Sequence, residues 1–241
     1  MDHSRRFYRE YEGTRGISFN VKIDTTDLYI TAEKDLSGEA YDSLKKTRAE
    51  LEKHIKEHQD FLYSLTPLTP PGAAPAIVLE MYRAALTAGV GPMAAVAGAV
   101  AEHTGRELVK MSNEVIVENG GDIWMKLERQ AKTGVYTDNI FFREKIWLKI
   151  NPEDTPCSIC TSTSKLGHSL SFGKADAATV IAENGALADA VATGACNIVQ
   201  SEEDIQKALD YAMSIEGVTG CMIIYRDKLG AQGMIELCAP G

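Results

Sequence analysis

An aspartate and a threonine, Asp189 and Thr193, stand four residues apart in a segment otherwise made of small and apolar residues, 186–197. At this spacing both side chains lie on one face of a helix. A lone carboxylate on an apolar helix is costly to bury unless it is paired or bound to a cation. A carboxylate and a hydroxyl one turn apart can share a hard cation such as Mg²⁺, which keeps waters and phosphate oxygens as its other ligands. The pair is equally consistent with a magnesium site and with an aspartate on an exposed stripe of the helix.

A second group of chemically useful residues forms a corner between two short apolar runs that both read as strands. The corner consists of Asn119, Gly120, Gly121 and Asp122. Adjacent glycines permit positive φ angles or the close approach of a ligand, and Asn and Asp can hydrogen-bond a sugar or a phosphate-bound metal. Because Gly-Gly between apolar runs is also a good hairpin signal, the corner taken alone favours a turn over a ligand site.

A third group is a run of hydroxyl side chains followed by a histidine. Thr161, Ser162, Thr163 and Ser164 are donors suited to phosphate or ribose, and His168 adds a titratable imidazole. The same residues are also typical of a plain turn. No serine stands in a G-x-S-x-G elbow, so the sequence does not favour a nucleophilic triad of that kind.

Cys157 and Cys160 have the two-residue gap of zinc-binding and redox pairs. A structural zinc site needs a second such pair, and Cys196, Cys221 and Cys238 do not have that spacing. The pair also runs into a Ser/Thr-rich loop and not into a helix, which argues against a thioredoxin-like site. We therefore expect buried, reduced thiols, with a redox role as the weaker alternative.

The 241-residue chain has the composition of an ordinary globular protein, with 24% charged and 44% hydrophobic residues. Its net charge of −9 argues against nucleic acid as a partner. The sequence contains no apolar run of roughly 18 residues, the length of a membrane span. Residues 1–14, expected to be flexible, lack the apolar core of a signal peptide. These features predict a cytoplasmic protein with no membrane partner.

Strands are predicted near both ends of the chain, with helices between them. Residues 17–23 and 27–32 read as a hairpin, residues 66–75 as a Pro-rich loop, and residues 140–150 as one or two further strands. This order predicts a single α+β domain over residues 1–241, with mixed or antiparallel sheets and packed helices, and not a regular βαβ winding.

His54 and His58 lie four residues apart on a helix predicted over residues 39–62, a spacing that can bind a metal. The surrounding sequence, KHIKEHQD, reads as a charged and solvated face, and it suggests no third ligand nearby. A metal site is therefore not expected at these histidines.

Taken in order, these segments resemble the ApbE-type flavin transferases, and most closely a shorter, uncharacterised, cytoplasmic branch of that superfamily. The resemblance rests on the small-residue helix 91–102, the Asn-Gly-Gly-Asp corner, the hydroxyl run with His168, and the Ala-Asp-Ala-Val-Ala-Thr segment at 188–193. It covers roughly residues 15–240. Each piece is weak alone, but their order and spacing are strong evidence for the fold.

The resemblance implies an ApbE-like fold that binds FAD in a cleft between sheet and helices and uses Mg²⁺ at the pyrophosphate. The FMN half is then moved onto a threonine or serine of a target protein. Asp189 and Thr193 would be the side-chain ligands of Mg²⁺, and a backbone carbonyl from residues 91–98 would be a third ligand.

The resemblance also implies which residues surround the nucleotide. The cofactor-binding set would be Asn119, Gly120, Gly121, Asp122, Thr161, Ser162, Thr163 and Ser164. His168 would stand near the reacting phosphate and take a proton from an attacking hydroxyl, and Asp189 would act in catalysis through the metal.

Two family motifs are changed in this chain. Where the family has a Lys-Gly pair in its first small-residue helix, this chain has Ala97-Gly98, and the family's H-x-x-D-P-x-T-G is replaced by a shorter segment without Asp-Pro, residues 168–174. The sequence thus predicts a Mg²⁺-dependent flavin-nucleotide-binding protein that transfers or cleaves FMN, with an unidentified protein acceptor. The alternative is a non-catalytic nucleotide- or flavin-binding accessory protein in sulfur (homocysteine-type) metabolism. The small-residue helices would permit a homodimer.

Overall fold

The computed structural model describes residues 16–135, 137–143, 145–164 and 173–238. The strands are β1 (Ile17–Ile23), β2 (Thr26–Ala32), β3 (Val115–Asn119), β4 (Asp122–Lys126), β5 (Ala131–Gly134), β6 (Trp147–Ile150), β7 (Cys157–Ser162), β8 (Ala177–Ala182), β9 (Val218–Tyr225), β10 (Lys228–Gly233) and β11 (Leu237–Cys238). The helices are α1 (Ser37–Glu57), α2 (Gln59–Tyr63), α3 (Ala76–Ala88), α4 (Val96–Leu108), α5 (Gly185–Ile198) and α6 (Asp204–Met213). A short 3₁₀ turn, Pro92–Ala95, leads into α4.

Eight strands form one large sheet in the order β1-β2-β3-β4-β7-β8-β9-β10, and β11, β6 and β5 form a small second sheet. Every paired set of neighbouring strands is antiparallel. The helices enter the chain in two groups, between β2 and β3 and between β8 and β9. The predicted α+β class with antiparallel sheets and packed helices is therefore confirmed.

The large sheet is covered on both faces, which explains why its central strands read as continuous apolar runs. On β3, Val115 and Val117 belong to the core cluster that contains the helices, whereas Ile116 belongs to a second cluster with Leu148 and Ile150 of the small sheet. Because successive strand residues point to opposite faces, one apolar run serves both clusters. The layers are therefore the helices, the large sheet and the small sheet.

Helices α4 and α5 meet through two glycines. A Cβ atom added to Gly98 would collide with the carbonyl oxygen of Gly185, and one added to Gly185 would collide with the carbonyl oxygen of Gly98. Because neither residue has a side chain, the two backbones touch directly. This contact explains the glycines at these two positions, and it fixes the distance between the first turns of the two helices.

The predicted strand over residues 140–150 is wrong for most of its first half, because among the described residues of this range only Trp147–Ile150 is a strand. Residues 140–143 form a turn organised by Asn139. Its Oδ1 accepts a hydrogen bond from the Phe141 backbone N–H at 2.9 Å, and its Nδ2 donates to the Arg226 carbonyl at 2.6 Å. A side chain that binds nearby backbone groups in this way competes with strand pairing.

The long first helix is divided at His58 into α1 and α2. Lys53 and residues 56–60 are exposed, as expected for a solvated face, but the prediction is wrong for His54 itself. His54 is buried, with Nε2 3.1 Å from the Tyr82 hydroxyl and its ring edge-on to Phe61. Burial is the main cause that lowers the pKa of His54, and the neighbouring His58 lowers it further. His54 is therefore a core residue whose burial favours the neutral imidazole.

Among the described residues, no single helix is long and apolar enough to cross a membrane. The helical segments Ala76–Ala88 and Pro92–Leu108 are long and apolar enough only when taken together, and the chain bends by 106° between them.

The α4–α5 contact predicts the effect of adding one methyl group. Gly98→Ala should destabilise the protein by about 1–3 kcal/mol, because the new Cβ must push the Gly185 backbone away. Gly38→Ala is the matched control in the first turn of α1, since a Cβ there would meet nothing within 4 Å. It should leave the protein unchanged or stabilise it by about 0.4–1 kcal/mol. Thermal unfolding of both variants checks this, and equal melting temperatures would contradict the close contact.

Candidate functional site

A cleft of about 740 Å³ opens between α1, the start of α4, the β3–β4 corner, the end of β7 and α5. This volume falls within the range of about 300–1,000 Å³ that is typical of small-molecule sites. The apolar lining residues, called the apolar wall below, are Leu51, Ile55, Leu62, Leu65, Val90, Met93, Ala94, Val96 and Val100. Polar lining residues from neighbouring parts of the chain are Thr25, Thr26, Asp27, Arg48, Glu52 and Ser64. A polar wall is formed by Asn119, Gly120, Asp122, Thr161, Ser162, Thr163, Asp189, Thr193 and Asn197. The cleft can therefore offer one surface to an apolar ring and another to polar or charged groups.

Most of the site residues predicted from the sequence meet in this cleft, although they come from three separate parts of the chain. Gly121 and Ser164 are not among the lining residues, although each is next to one that is. His168 lies outside the described residues, so its catalytic role stays a prediction.

The β3–β4 corner is a two-residue turn that is held in place from both sides. Gly120 and Gly121 have φ angles of +67° and +109°, in the region that favours glycine. The Gly121 N–H donates to Glu118 Oε1 at 2.6 Å, and Asn119 Nδ2 donates to the Ala97 carbonyl at 3.0 Å. The turn interpretation is therefore confirmed, and Asn119 additionally fastens the turn to the first residues of α4.

Asp189 reaches from α5 to the amino-terminal end of α4. Its Oδ2 accepts a hydrogen bond from the Gly98 N–H at 3.0 Å, and the Ala97 N–H bonds to the same carboxylate. Helix α4 has no cap of its own, because Ala95 occupies the N-cap position and no side chain bonds there. The Asp189 carboxylate thus supplies the missing cap and faces the positive end of the helix dipole. Asp189 is half-buried, so the interpretation as a residue on an exposed stripe is wrong.

Helix α4 caps α5 in return. Glu102 Oε2 accepts a hydrogen bond from the Gly185 N–H at 2.7 Å, and Glu102 Oε1 lies 2.6 Å from Arg106 Nη2. Asn184, the N-cap residue of α5, also accepts a hydrogen bond through Oδ1 from the Leu187 N–H at 2.9 Å. Each helix therefore provides a carboxylate to the first turn of the other, an arrangement that the sequence did not reveal.

Thr193 lies one turn after Asp189 and is 3% exposed. Its Oγ1 is buried and has no hydrogen-bond partner among the described residues. A buried polar atom that lacks a partner costs about 1–3 kcal/mol, and native proteins contain few of them. The hydroxyl is therefore available to a ligand at the side of the cleft that Asp189 lines.

Two carboxylates on the polar wall influence each other. Burial is the main cause that raises the pKa of Asp122 to about 7; hydrogen bonds from the Thr161 N–H and the Cys160 thiol oppose the rise, and the Glu118 carboxylate adds to it. Burial also raises the pKa of Asp189, and the charge of Asp122 is the next largest cause. The protein groups alone therefore disfavour two ionised carboxylates in the cleft.

The predicted hydroxyl run is only partly available to a ligand. Thr161 and Ser162 are the last residues of β7 and not part of a loop, because Ser162 still pairs with Ala178 of β8. The Thr161 hydroxyl lies 2.9 Å from the Thr179 hydroxyl across the sheet. Ser162 and Thr163 line the cleft beside it.

The cleft residues that sequence reasoning missed include Arg48 and Tyr63 on the opposite side. Arg48 is the one basic side chain among the described residues that line the cleft, and its guanidinium lies 2.8 Å from Thr26 Oγ1 and 3.0 Å from Asp24 Oδ2. Tyr63 is 71% exposed. Neither carries a distinctive sequence signal, because Arg48 stands on a helix with many charged residues and Tyr63 precedes an irregular segment.

The predicted buried thiols are confirmed for Cys157 and Cys160, which are free and buried. Burial raises the pKa of Cys157 to about 12 and raises that of Cys160 well above its ordinary value. Such thiols are poor nucleophiles and poor redox centres.

The donor atoms of the cleft fit a hard cation. Among the described residues no three His, Cys, Asp or Glu side chains form a metal-binding group, so a zinc-type site is not supported there. Mg²⁺ needs only one or two carboxylates because it retains several waters. The oxygens of Asp189 and Thr193 meet that requirement.

A second cleft, of about 580 Å³, lies between the small sheet and strands β8 and β9. Of the residues singled out in the sequence, only Cys157 lines it. The first cleft is therefore the candidate site.

Comparison with known proteins finds relatives over nearly the whole chain. The family described as AbpE bacteria matches residues 9–230. UPF0280 protein MJ1526 of Methanocaldococcus jannaschii is 37% identical over 219 residues, which are 88% of this chain and 88% of the relative. A UPF0280 protein of Methanospirillum hungatei is 41% identical over 203 residues, covering 83% of this chain and 82% of the relative.

Solved structures share the fold. The flavin transferase ApbE from Vibrio cholerae superposes with a TM-score of 0.57 at 13% identity, covering 91% of this chain and 97% of that chain. The flavinyl transferase ApbE from Pseudomonas stutzeri gives a TM-score of 0.54 at 11% identity, covering 91% and 95%. At these identities the likeness establishes the architecture.

The capping role of Asp189 predicts that two substitutions, measured in EDTA, differ in their effect on protein stability. Asp189→Asn keeps an oxygen that can accept from the Gly98 N–H, whereas Asp189→Ala leaves the start of α4 without a cap. The alanine variant should therefore be less stable than the asparagine variant by about 1–2 kcal/mol. Thermal unfolding in EDTA checks this, and identical melting temperatures would show that Asp189 does not cap α4.

Proposed function

The chain belongs to the ApbE-like superfamily, and we propose that its cleft binds the flavin nucleotide FAD together with Mg²⁺ and then cleaves or transfers the FMN half. The observation that carries this proposal is the Thr193 hydroxyl, which is buried without a partner among the described residues, one turn from Asp189. A hard cation at these two side chains would satisfy both of them. The structural relatives are flavin transferases by name, and this supports a flavin nucleotide as the ligand.

Each wall of the cleft has a role in this proposal. When bound, Mg²⁺ would neutralise charge on the pyrophosphate. Asp189 and Thr193 would hold the cation from consecutive turns of α5, whose position is fixed by the contact with α4. The apolar wall would cover the flavin ring and exclude water from it, and Gly120 would leave room for the nucleotide beside the corner.

His168 is proposed, from the sequence alone, to accept a proton from the attacking hydroxyl. If that hydroxyl belongs to water, the products of FAD cleavage are FMN and AMP. If it belongs to a serine or threonine of a protein acceptor, FMN becomes attached to that side chain and AMP leaves.

A second candidate function is binding without chemistry, as in an accessory protein. It is favoured by Ala97, which stands where the family resemblance leads us to expect lysine. The described lining residues offer only Arg48 as a cation, and Arg48 is already paired with Asp24 and Glu52. Phosphoryl-type transfer depends on neutralising charge as it develops, so a cleft with so little free positive charge is also consistent with binding alone.

Titration of the protein with FAD, followed by flavin fluorescence, tests the shared part of both functions. Binding should occur with Mg²⁺ and should weaken by at least about 10-fold in EDTA or in Asp189→Asn, because the cation bridges protein and pyrophosphate. Chromatography of the same mixtures separates the two functions, since only an enzyme releases AMP. Finding neither FAD binding nor AMP release with Mg²⁺ present would contradict the proposal.

Gly120→Asn tests whether the nucleotide passes the corner. Asparagine tolerates the left-handed conformation, so the turn should be kept, unlike with valine, whose branched side chain is strained there. The added side chain would enter open space in the cleft and should reduce FAD affinity without lowering the melting temperature. Unchanged affinity would place the nucleotide elsewhere.

A further inference from the structure

Asp122 and Asp189 approach the same part of the cleft from two different layers of the fold. Asp189 binds the Gly98 N–H, while the neighbouring Ala97 carbonyl accepts from Asn119. Asn119 and Asp122 are directly paired across the two-residue turn. The start of α4 is thus contacted by α5 on one side and by the corner that carries Asp122 on the other.

The contacts of Cys160 show independently that Asp122 on β4 lies close to the first turn of α5. Its thiol bonds to the Asp122 carboxylate and also lies 3.8 Å from the carbonyl oxygen of Gly185, one turn before Asp189 on α5. A single small side chain therefore spans from Asp122 to the first turn of the helix that carries Asp189 and Thr193.

Each carboxylate keeps coordinating capacity after its protein contacts are counted. Asp122 Oδ1 accepts from the Thr161 N–H at 3.1 Å, and Asp189 Oδ2 accepts from the Gly98 N–H. An ionised carboxylate has about four acceptor positions, so these bonds do not exhaust either group. Among the described residues neither carboxylate forms an ion pair with Lys, Arg or His.

Asp122 is buried and Asp189 is half-buried, and no basic side chain of the described residues is paired to either. Two such neighbouring carboxylates repel each other unless a cation lies between them. The unpartnered Thr193 hydroxyl independently points to a ligand at the same place. A divalent cation satisfies all three groups, and three protein oxygens leave about three positions of an octahedral Mg²⁺ for water or phosphate.

We propose that Asp122 is a ligand of the cation and not a contact to the sugar of the nucleotide, so that Asp122, Asp189 and Thr193 together hold one divalent ion. This inference rests on the proposed function for the position of the ion. It adds a ligand from the corner of the sheet to the two from α5, so the ion would join the sheet to the helices.

The test measures Mn²⁺ binding to the nucleotide-free protein by electron paramagnetic resonance, with Mn²⁺ as the probe. Asp122→Asn keeps an oxygen for the Thr161 N–H but removes the charge. It should weaken Mn²⁺ binding by about 10- to 100-fold, as should Asp189→Asn. Glu52→Gln is the charge-matched control, because it removes a carboxylate from the same cleft at α1, and it should change the affinity less than about twofold.

The outcomes separate this inference from the function on which it rests. If Asp122→Asn binds Mn²⁺ as tightly as the unaltered protein while Asp189→Asn does not, the role of Asp122 is refuted and the proposed site stands. If neither Asp122→Asn nor Asp189→Asn weakens Mn²⁺ binding, the role of Asp122 and the proposed cation site are both refuted. Should Asp122→Asn fail to fold, Asp122→Glu keeps the charge but displaces it by one methylene; weakened Mn²⁺ binding in that variant supports the inference, and unchanged binding overturns it.

Discussion

The contact between the first turns of α4 and α5 is the constraint on which the site depends. Two glycines let the backbones touch, and two carboxylates, Asp189 and Glu102, each cap the other helix. Helix ends expose N–H groups that must be satisfied, and here long-range partners satisfy them. The same contact places the free edge of Asp189 and the Thr193 hydroxyl on the wall of the cleft. The packing of α4 against α5 therefore also positions the residues of the candidate cation site.

Asp189 both caps α4 and lines the cleft. The capping contacts explain how its carboxylate is tolerated at the cleft without a basic partner among the described residues. The N–H groups of Ala97 and Gly98 and the dipole of α4 favour its ionised form, while burial and the neighbouring Asp122 oppose it. The balance raises the pKa of Asp189, so the protein groups alone disfavour its ionised form. A divalent cation would reverse that balance, and the sheet, through Asp122, would then be joined to the helices by the ligand as well as by packing.

Structural features that depend on neighbouring residues in the chain could be predicted from the sequence. The Gly-Gly corner predicted its turn, the spacing of Asp189 and Thr193 predicted a shared helix face, and the order of apolar runs predicted the α+β class. Features that depend on distant residues were not predictable. The bond from Gly98 to Asp189 spans 91 positions and that from Gly185 to Glu102 spans 83. For the same reason the charged neighbours of His54 concealed a core residue, and Arg48 looked like any other charge on a solvated helix.

Crystals grown with FAD and Mn²⁺, examined by anomalous diffraction at the manganese edge, test the central claim most directly. We expect a manganese peak within coordination distance of Asp189 and Thr193, with the nucleotide pyrophosphate on its open side and the flavin ring against the apolar wall. A nucleotide seated in the second cleft, between the small sheet and strands β8 and β9, or a manganese peak away from α5, would contradict it.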